Sequence, residues 1–461
     1  MDGLIHAGAD PTPRVCLDFG TSFSKASVYL GAHAVGEACL APLRLGEVSG
    51  ADHPYFTPTS IYLEQGRLHC GPKALMAAQA GVRTKRDPIL SFKMVLSARD
   101  IEGTLALKLG PSVDPSRTMT YRDALTLYLA YLNRLIRTAI LVDESLPQAL
   151  VDAPVRLTSP FWQYEHAATH TLRRLFLEAE YAAVHLGDAL ILPQGVRLDE
   201  AYPILRDAAA CNGPSRFAGV VMEVQSVAAA YANFAKSKTD RLIVVDIGAG
   251  TTDIAGFKLH RDGAGNLLTE IKAARTCCSF AGDEIDTAII DQMLRKSHAI
   301  SAEGKARVWR ALRLSVRDLK RDLIENGKCW LKVDGRKIVL RREDLLKDQG
   351  FKDFCRSLSK VLSKSMEAVL ADGGARSSNV TVCLAGGGAH LPVANEIVQQ
   401  AAKRCRGNVG AHVERFDFGF ARHRIASGHE RFDKSFSQIV IAMGGALAET
   451  TQTPASAEQA A

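Results

Sequence analysis

The stretch RLIVVDIGAGTTDIAGFKL, residues 241–259, decides the fold. An apolar strand ends in Asp246, a glycine-rich turn follows, and a second apolar strand begins directly after it. The stretch RVCLDFGTSFSKASVYL, residues 14–30, has the same order: an apolar strand, Asp18, a turn at Gly20 and another strand. Two such units, far apart in the chain, predict an internal duplication whose turns converge on one ligand.

The first turn has the features of a phosphate loop. Without a side chain at Gly20, successive backbone N–H groups can approach a phosphate closely. Thr21 and Ser22 add hydroxyl donors. Asp18 can hold water molecules of a hydrated Mg²⁺, which prefers oxygen ligands and keeps much of its hydration shell. Taken alone, this motif is explained equally well by an ordinary hairpin.

The second turn is wider, because two glycines flank Ala249. It can wrap around the terminal phosphates of a nucleotide. Asp246 would be the second carboxylate on the metal side. Thr251 and Asp253 lie close to the position where an attacking water must be oriented.

The third motif is LAGGGAHLPVANEIV, residues 384–398. Its three glycines let the backbone approach a flat group, and a helix is expected to begin near Pro392, since proline is favoured in a first helical turn. The motif is therefore predicted to pack against adenine and ribose. A plain strand–helix turn is the structural alternative.

In this order and spacing, the three motifs resemble the actin/hexokinase/heat-shock-70 ATPase superfamily. The finer resemblance, over roughly residues 14–450, is to the ATPase domain of the DnaK/heat-shock-70 chaperone family. It implies an α/β, two-lobed actin-like ATPase fold, made of duplicated ribonuclease-H-like domains with inserted subdomains, that closes on ATP and Mg²⁺.

The resemblance also implies roles for individual residues. Lys93, in ILSFKMVLS, corresponds to the family's catalytic lysine, and FAGDEID, residues 280–286, to the turn and helix of the second lobe. The expected catalytic residues are Lys93, Asp246, Thr251 and Asp253, and the expected metal-side residues, acting through water, are Asp18 and Asp246. The expected nucleotide-binding residues are Gly20, Thr21, Ser22, Phe23, Gly248, Ala249, Gly250, Thr251, Thr252, Gly282, Lys320, Arg321, Gly386, Gly387, Gly388 and His390.

Several positions depart from the family pattern. Gln225 stands where the family has an acid that steers the metal shell, unless Glu223 takes its place by a change of register. His390 replaces the arginine that stacks on adenine, and Arg317 replaces an acid on the adenosine helix. Trp162 aligns with an arginine used in interlobe signalling. The sequence also lacks the family's hydrophobic linker and β-rich peptide-binding domain, which leads us to expect a switch rather than a complete chaperone.

The expected domain boundaries follow from the motifs. Residues 1–13 are predicted to be a tail, 14–240 the first lobe, 241–450 the second lobe and 451–461 a disordered tail. Insertions are expected at about 41–118, 181–217 and 284–377. Helices are predicted near 121–140, 164–180 and 301–325, a short strand at 149–153, and a hairpin that turns at Asp334-Gly335.

Composition restricts the class of protein. The 461 residues are 47% hydrophobic and 23% charged, which is ordinary for a globular protein with room for two domains. The net charge is +7, but lysine and arginine are scattered among acids, so no nucleic-acid partner is expected.

The cysteines and the termini point to a cytoplasmic protein. Ten cysteines form no CxxC pair, and several lie in apolar runs, as expected for a reduced protein. The N-terminus lacks the pattern of a secretion signal, and no apolar run was expected to approach the length of a membrane span.

Three functions fit the same motifs. The first is an ATP hydrolase or slow ATP switch that regulates an unidentified protein partner as a monomer or weak oligomer. The second is an actin-like protein that assembles filaments with ATP. The third is a small-molecule kinase with a general base between the lobes. Fold alone cannot choose among them, because one scaffold hosts all three.

Overall fold

The computed structural model describes most of the chain. The described ranges are 4–7, 12–31, 39–81, 86–235, 239–262, 265–297, 301–372, 379–406, 409–415 and 432–450. The predicted tail at 451–461 lies outside them.

These ranges form a mixed α/β structure. The strands are β1 (Leu4–Ala7), β2 (Arg14–Phe19), β3 (Phe23–Tyr29), β4 (Leu40–Pro42), β5 (Thr57–Pro58), β6 (Ser60–Glu64), β7 (Arg67–Cys70), β8 (Ile89–Leu90), β9 (Val155–Ser159), β10 (Val196–Arg197), β11 (Phe217–Met222), β12 (Arg241–Ile247), β13 (Thr252–Asp262), β14 (Gly265–Cys278), β15 (Lys328–Val333), β16 (Arg336–Arg341), β17 (Asn379–Ala385), β18 (Gly410–Arg415) and β19 (Ala448–Thr450). The α-helices are α1 (Leu45–Ser49), α2 (Gly71–Ala80), α3 (Ile101–Ala106), α4 (Tyr121–Val142), α5 (Glu165–Leu186), α6 (Leu198–Ala210), α7 (Glu223–Phe234), α8 (Gly282–Lys296), α9 (Ala302–Asn326), α10 (Arg342–Lys347), α11 (Gln349–Ala371), α12 (Ala394–Arg404) and α13 (Phe432–Leu447). Short 3₁₀ helices cover Phe92–Ser97, Gln148–Asp152, Gly187–Leu190 and Gly387–His390.

The first large sheet contains the first motif. Its strand order is β11-β9-β2-β3-β4, and β5 pairs with β3. β2 and β3 form an antiparallel hairpin, while β9 and β11 continue the sheet as parallel strands. Side chains alternate between two apolar layers: Val15 and Leu17 pack with α4 and α5, and Cys16 packs with α13. A strand buried on both faces reads as a continuous apolar run, as β2 does.

The second large sheet contains the second and third motifs. Its order is β18-β17-β12-β13-β14-β1-β19. β12 and β13 form an antiparallel hairpin, and β17 and β18 extend it as parallel strands. Both large sheets therefore share one arrangement, a hairpin whose first strand is followed sideways by two parallel strands. The repeated order of strand, aspartate, glycine turn and strand in the sequence therefore corresponds to a repeated arrangement of strands in the two sheets.

Helices α7 and α13 pack between the two sheets. One apolar cluster contains Cys16 of β2, Val244 of β12 and side chains of both helices. The helices cross closely, because a Cβ atom at Gly444 of α13 would lie 1.7 Å from the Ser226 carbonyl oxygen of α7. A Cβ at Gly445 would lie 2.5 Å from Cys16 Sγ. The Gly-Gly pair thus sets the distance between helix and sheet.

Two smaller sheets complete the described architecture. One has the order β10-β7-β6-β8, and the other is the hairpin β15–β16. The hairpin turns at Asp334 and Gly335, whose φ angles of 48° and 78° are those of the expected Asp-Gly turn.

Some local predictions differ from the structure. Most of the predicted strand 149–153 belongs to the 3₁₀ helix Gln148–Asp152, and the strand starts only at Val155, because Pro154 cannot donate a backbone hydrogen bond to a sheet. The predicted 1–13 tail includes β1, which pairs antiparallel with β14 and β19. The stretch 181–217, which showed no order in sequence, contains the end of α5 and all of α6.

The expectation about membrane-length runs is wrong for α4. Among the described helices, α4 is long and apolar enough to cross a membrane, with a mean hydropathy of 1.3 over its best window. In this protein 72% of that window is buried, and α4 packs along α5 in the first apolar cluster. Core burial explains its composition.

Gly444→Ala tests the close crossing of α7 and α13. The added methyl group has no space against the Ser226 carbonyl, so the helices must separate. We expect the free energy of unfolding to fall by about 2 to 4 kcal/mol, as in overpacked cores. Urea denaturation measures the change. Gly110→Ala is the control, because a Cβ there meets nothing within 4 Å; equal stabilities of the two variants would contradict the packing.

Candidate functional site

The two glycine-rich turns lie side by side. A Cβ atom at Gly250 would lie 3.3 Å from Thr21 Cγ2 and 2.8 Å from Met94 Sδ. The turn after β2, the turn after β12 and the 3₁₀ helix that carries Lys93 therefore meet at one place. The structure brings together motifs that are about half the chain apart.

The first turn is held from the β5–β6 side. Thr59 donates its hydroxyl to the Gly20 carbonyl at 2.7 Å and its backbone N–H to the Ser22 carbonyl at 2.9 Å. A Cβ at Gly20 would lie 2.3 Å from the Phe23 carbonyl oxygen. Glycine is needed here for close approach of the backbone to itself.

The second turn is held by its own backbone and by α8. The Gly248 N–H donates to the Thr251 carbonyl at 2.9 Å. The Gly248 and Ala249 carbonyls accept from the N–H groups of Gly282 and Asp283 at 2.9 and 2.7 Å. These bonds turn the carbonyls toward α8, and Gly282 lies against the second turn.

Two buried ion pairs flank the turns. Asp18 Oδ2 lies 2.6 Å from Lys25 Nζ, and Asp18 Oδ1 accepts from the Thr158 hydroxyl at 2.9 Å. Lys93 Nζ lies 2.9 Å from Glu223 Oε1. Buried charges persist only when they are paired and hydrogen-bonded. Each lysine therefore has a fixed partner.

Asp18, Glu223, Asp246 and Asp253 form what we call the acidic cluster. Burial, and then the charges of Glu223, Asp253 and Asp18, raise the pKa of Asp246 well above its ordinary value. Burial, and then the charge of Glu223, raise the pKa of Asp253 to about 7. Asp246 Oδ1 is buried and has no hydrogen-bond partner within the described structure. The cluster thus contains four carboxyl groups and two paired lysines, and its raised pKa values favour protonation of Asp246 and Asp253 when no cation is bound.

Asp253 accepts hydrogen bonds from a backbone N–H group and from a hydroxyl group. Its Oδ1 accepts from the Phe161 backbone N–H at 3.2 Å, and its Oδ2 accepts from the Thr251 hydroxyl at 3.1 Å. The neighbouring Thr252 hydroxyl instead donates to the Phe280 carbonyl and is fully buried. Thr251 is thus the threonine of this turn whose hydroxyl faces the cluster.

The third motif closes on the second. Gly386 has a φ of 74°, and a Cβ there would lie 2.3 Å from Asp246 Oδ1. A Cβ at Gly388 would lie 2.3 Å from Ile247 Cγ2, whereas one at Gly387 would meet nothing within 4 Å. Gly386 and Gly388 are therefore needed for packing against β12, and Gly387 is the glycine of the three with room beside it.

His390 is held near the same motif. Its Nε2 lies 2.8 Å from the Ser437 hydroxyl of α13, and the Ser437 carbonyl accepts from the Gly386 N–H at 2.9 Å. The imidazole is therefore tied to the backbone that forms the glycine-rich turn.

Helix α9 contacts the first turn and the start of α8. Lys320 Nζ contacts the Gly282 carbonyl at 3.2 Å and Asp286 Oδ1 at 2.7 Å. Arg317 donates to the Ser22 carbonyl at 2.9 Å. Its guanidinium lies 5.7 Å from the centre of the Phe23 ring, within cation–π range.

Two of the predicted residues lie away from the acidic cluster. Gln225 Nε2 donates to Glu270 Oε2 at 2.9 Å, and Arg275 binds the same carboxylate. Residues two apart on a helix point to different sides, so Glu223 rather than Gln225 faces the cluster. Arg321 is half exposed and pairs with Asp318 on its own helix.

About half of the chain is similar to known proteins. Residues 205–409 match the family model described as Hsp70 protein. Chaperone protein dnaK1 of Prochlorococcus marinus, strain SARG, is 25% identical over 258 residues, which are 53% of this chain and 38% of the relative. Chaperone protein dnaK1 of Parasynechococcus marenigrum is 22% identical over 260 residues, again 53% of this chain and 38% of the relative.

Residues 205–409 are therefore similar to the Hsp70 family.

The family match covers part of the site. The matched residues 205–409 include Glu223, the second turn, α9 and the third motif, and they exclude the first turn and Lys93. The chain spans 38% of the length of the curated relatives it matches.

Sequence reasoning missed two residues of this candidate site. Lys25 is a charged residue in a strand whose other positions are apolar or small, and that contrast was the available signal. Thr158, at the end of β9, gave none. The described residues contain no group of three or more His, Cys, Asp or Glu placed to hold a metal ion directly.

Asp253→Asn tests the charge excess of the cluster. With a pKa of about 7 in the folded protein and an ordinary value of 3.8, Asp253 keeps a proton that the unfolded chain releases, so stability falls as pH rises through that interval. In nucleotide-free buffer with EDTA at about pH 8, we expect the variant to be more stable than the wild type by about 1 to 3 kcal/mol.

Urea denaturation across the pH range gives the readout. The advantage of the variant should shrink as pH falls and vanish below about pH 3, where both states of the wild type are protonated. Asp353→Asn, at an exposed ion pair of α11, is the matched control and should show no pH-dependent difference. Parallel curves for wild type and Asp253→Asn would contradict the assignment.

Proposed function

We propose that this chain binds ATP with Mg²⁺ at the junction of its two glycine-rich turns and hydrolyses it slowly. The nucleotide would act as a conformational switch of a chaperone-like factor. The observation that carries the proposal is the contact between the turn at Thr21 and the turn at Gly250, from two different sheets. A ligand gripped by both turns joins both sheets.

The finer architecture proposed is the two-lobed, actin-like arrangement. The lobes would be residues 14–240 and 241–450, each built on one large sheet with its own inserted subdomain. The shared hairpin-plus-parallel topology of the two sheets supports a duplicated pair. Helices α7 and α13, which pack against both sheets, would be the natural place for relative motion of the lobes.

The acidic cluster fits a hydrated divalent cation. Asp246 Oδ1 is buried without a partner in the described structure, and the two lysines of the cluster pair with Asp18 and Glu223 rather than with Asp246 or Asp253. Mg²⁺ prefers oxygen ligands and often keeps several waters, so Asp18 and Asp246 would contact its hydration shell. When bound, Mg²⁺ supplies neutralisation of phosphate charge.

Two side chains are suited to the reaction itself. Lys93 is fixed by Glu223, and the residue after it contacts the second turn, so its ammonium can stabilise charge on the transferred phosphoryl group. Asp253, with a pKa of about 7 and a bond from the Thr251 hydroxyl, can orient a water and accept its proton. Positioning and electrostatics supply most of such catalysis.

The nucleoside would lie toward the third motif and α9. Gly387 offers backbone without side-chain obstruction, and His390 and Lys320 are held beside the adjoining turns. Arg317, where the family resemblance implied an acid, would present a cation to the sugar side of the nucleotide while it binds the first turn.

Lys93→Met and Asp246→Asn test hydrolysis. We expect Lys93→Met to lower the single-turnover rate of ATP hydrolysis about 10² to 10³-fold while the ATP dissociation constant changes little, since transition-state charge is lost. Asp246→Asn should weaken Mg²⁺-dependent ATP binding. Fluorescent-nucleotide binding and quenched-flow hydrolysis measure both effects.

Matched controls separate chemistry from folding. Lys352→Met and Asp353→Asn alter exposed residues of α11 and should leave both rates unchanged. Because Lys93→Met leaves Glu223 buried and unpaired, the double variant Lys93→Met/Glu223→Gln restores neutrality and should remain folded but inactive. Equal, contaminant-level hydrolysis in wild type and all variants would refute the hydrolase proposal.

A further inference from the structure

The hairpin β15–β16 has one face in the core and one in solvent. Its inward side chains include Cys329, Ile338 and Leu340, which are buried in the apolar cluster of α8, α9 and α11. Its outward side chains alternate with these, and we call them the ribbon face: Lys328, Trp330 and Lys332 on β15, opposite Arg341, Val339 and Lys337 on β16. The inner face completes the core without help from the outer one.

The centre of the ribbon face is apolar and exposed. Trp330 lies directly opposite Val339 in the strand register. Their exposed fractions are 54% and 39%. An exposed tryptophan beside a second apolar residue, rimmed by polar groups, is typical of a recognition surface.

The residues that surround this apolar centre of the ribbon face are positively charged. Lys328, Lys332, Lys337 and Arg341 have no ion-pair partner in the described part of the chain. The acid of the hairpin, Asp334, is already bound by Arg307 of α9 at 3.3 Å. The ribbon face therefore places four cationic side chains around an exposed aromatic ring.

We propose that the ribbon face docks an extended acidic segment of a partner protein, with an apolar side chain between two carboxylates. In an extended chain, alternate residues lie on one side, at the same spacing as Lys328, Trp330 and Lys332. Carboxylates would meet the two lysines, and the apolar side chain would pack on Trp330 and Val339.

Two observations favour a protein segment over single-stranded nucleic acid. Lys337 Nζ lies 4.5 Å from the centre of the Trp330 ring, so one ring face is already covered and is less suited to base stacking. The second apolar residue is Val339, a branched aliphatic side chain that packs on aliphatic groups and offers no stacking surface.

Fluorescence anisotropy with defined probes tests the inference. The probe is a labelled peptide with Glu, Leu and Glu at alternate positions, separated by threonine. We expect salt-sensitive binding to the full chain, and Trp330→Ala should weaken it at least about tenfold. Trp309→Ala, at an exposed tryptophan of α9 outside the ribbon face, should change it less than about twofold.

A double variant with reversed charges distinguishes loss of the binding surface from loss of the fold. Lys328→Glu/Lys332→Glu should lose the acidic peptide and gain a peptide with Lys in place of Glu, a result that an unfolded protein would not give. Lys352→Glu, on α11, is the charge control. Absence of binding by the wild type would overturn the proposal. So would tighter, Trp330-dependent binding of oligothymidylate or of phosphatidylserine–phosphatidylcholine vesicles.

Discussion

The site depends on mutual repulsion within the buried acidic cluster. Asp18 comes from the first sheet, Asp246 and Asp253 from the second, and Glu223 from the start of α7. Lys25 and Lys93 neutralise two of the four carboxyls through close ion pairs. Burial, and then the like charges of the neighbouring carboxylates, raise the pKa values of Asp246 and Asp253, because both favour the protonated form. The two lysines pair with two of the four carboxyl groups, and a bound cation would favour the ionised form of the other two.

The sequence predicted the parts of this arrangement that follow from local pattern. Asp18 and Asp246 stand at the ends of strands buried on both faces, so their placement follows from apolar runs that stop at a carboxylate and a glycine. The pairing of Lys25 with Asp18 joins neighbouring strands and was open to prediction from register, but a lysine within a strand carries no motif. Glu223 required helix geometry: motif alignment selected Gln225, whereas the helical turn directs Glu223 to the cluster. Residues 149–153 show the weakness of short apolar runs, which do not separate a strand from a 3₁₀ turn.

Departures from the family pattern have structural partners. Arg317, in place of an acid, binds the Ser22 carbonyl and lies over Phe23, so the substituted charge links α9 to the first turn. His390, in place of an arginine, is bound to Ser437 and through it to the backbone of Gly386. An arginine stacks on a base freely, whereas this imidazole is held by α13. Arg317 and His390 therefore make contacts around the site that differ from those of the family pattern. The two glycine-rich turns still lie side by side.

Helix α9 connects the two surfaces of interest. Arg317 contacts the first glycine-rich turn and Lys320 contacts the start of α8, while Arg307, at the other end of the same helix, binds the turn of the hairpin. The span from Arg307 to Lys320 is about 20 Å at the ordinary rise of a helix. A packed helix shifts as a unit, because its backbone bonds resist bending more than its side-chain contacts resist sliding. Helix α9 therefore links the hairpin that carries the ribbon face to the first glycine-rich turn, through the side chains of Arg307 and Arg317.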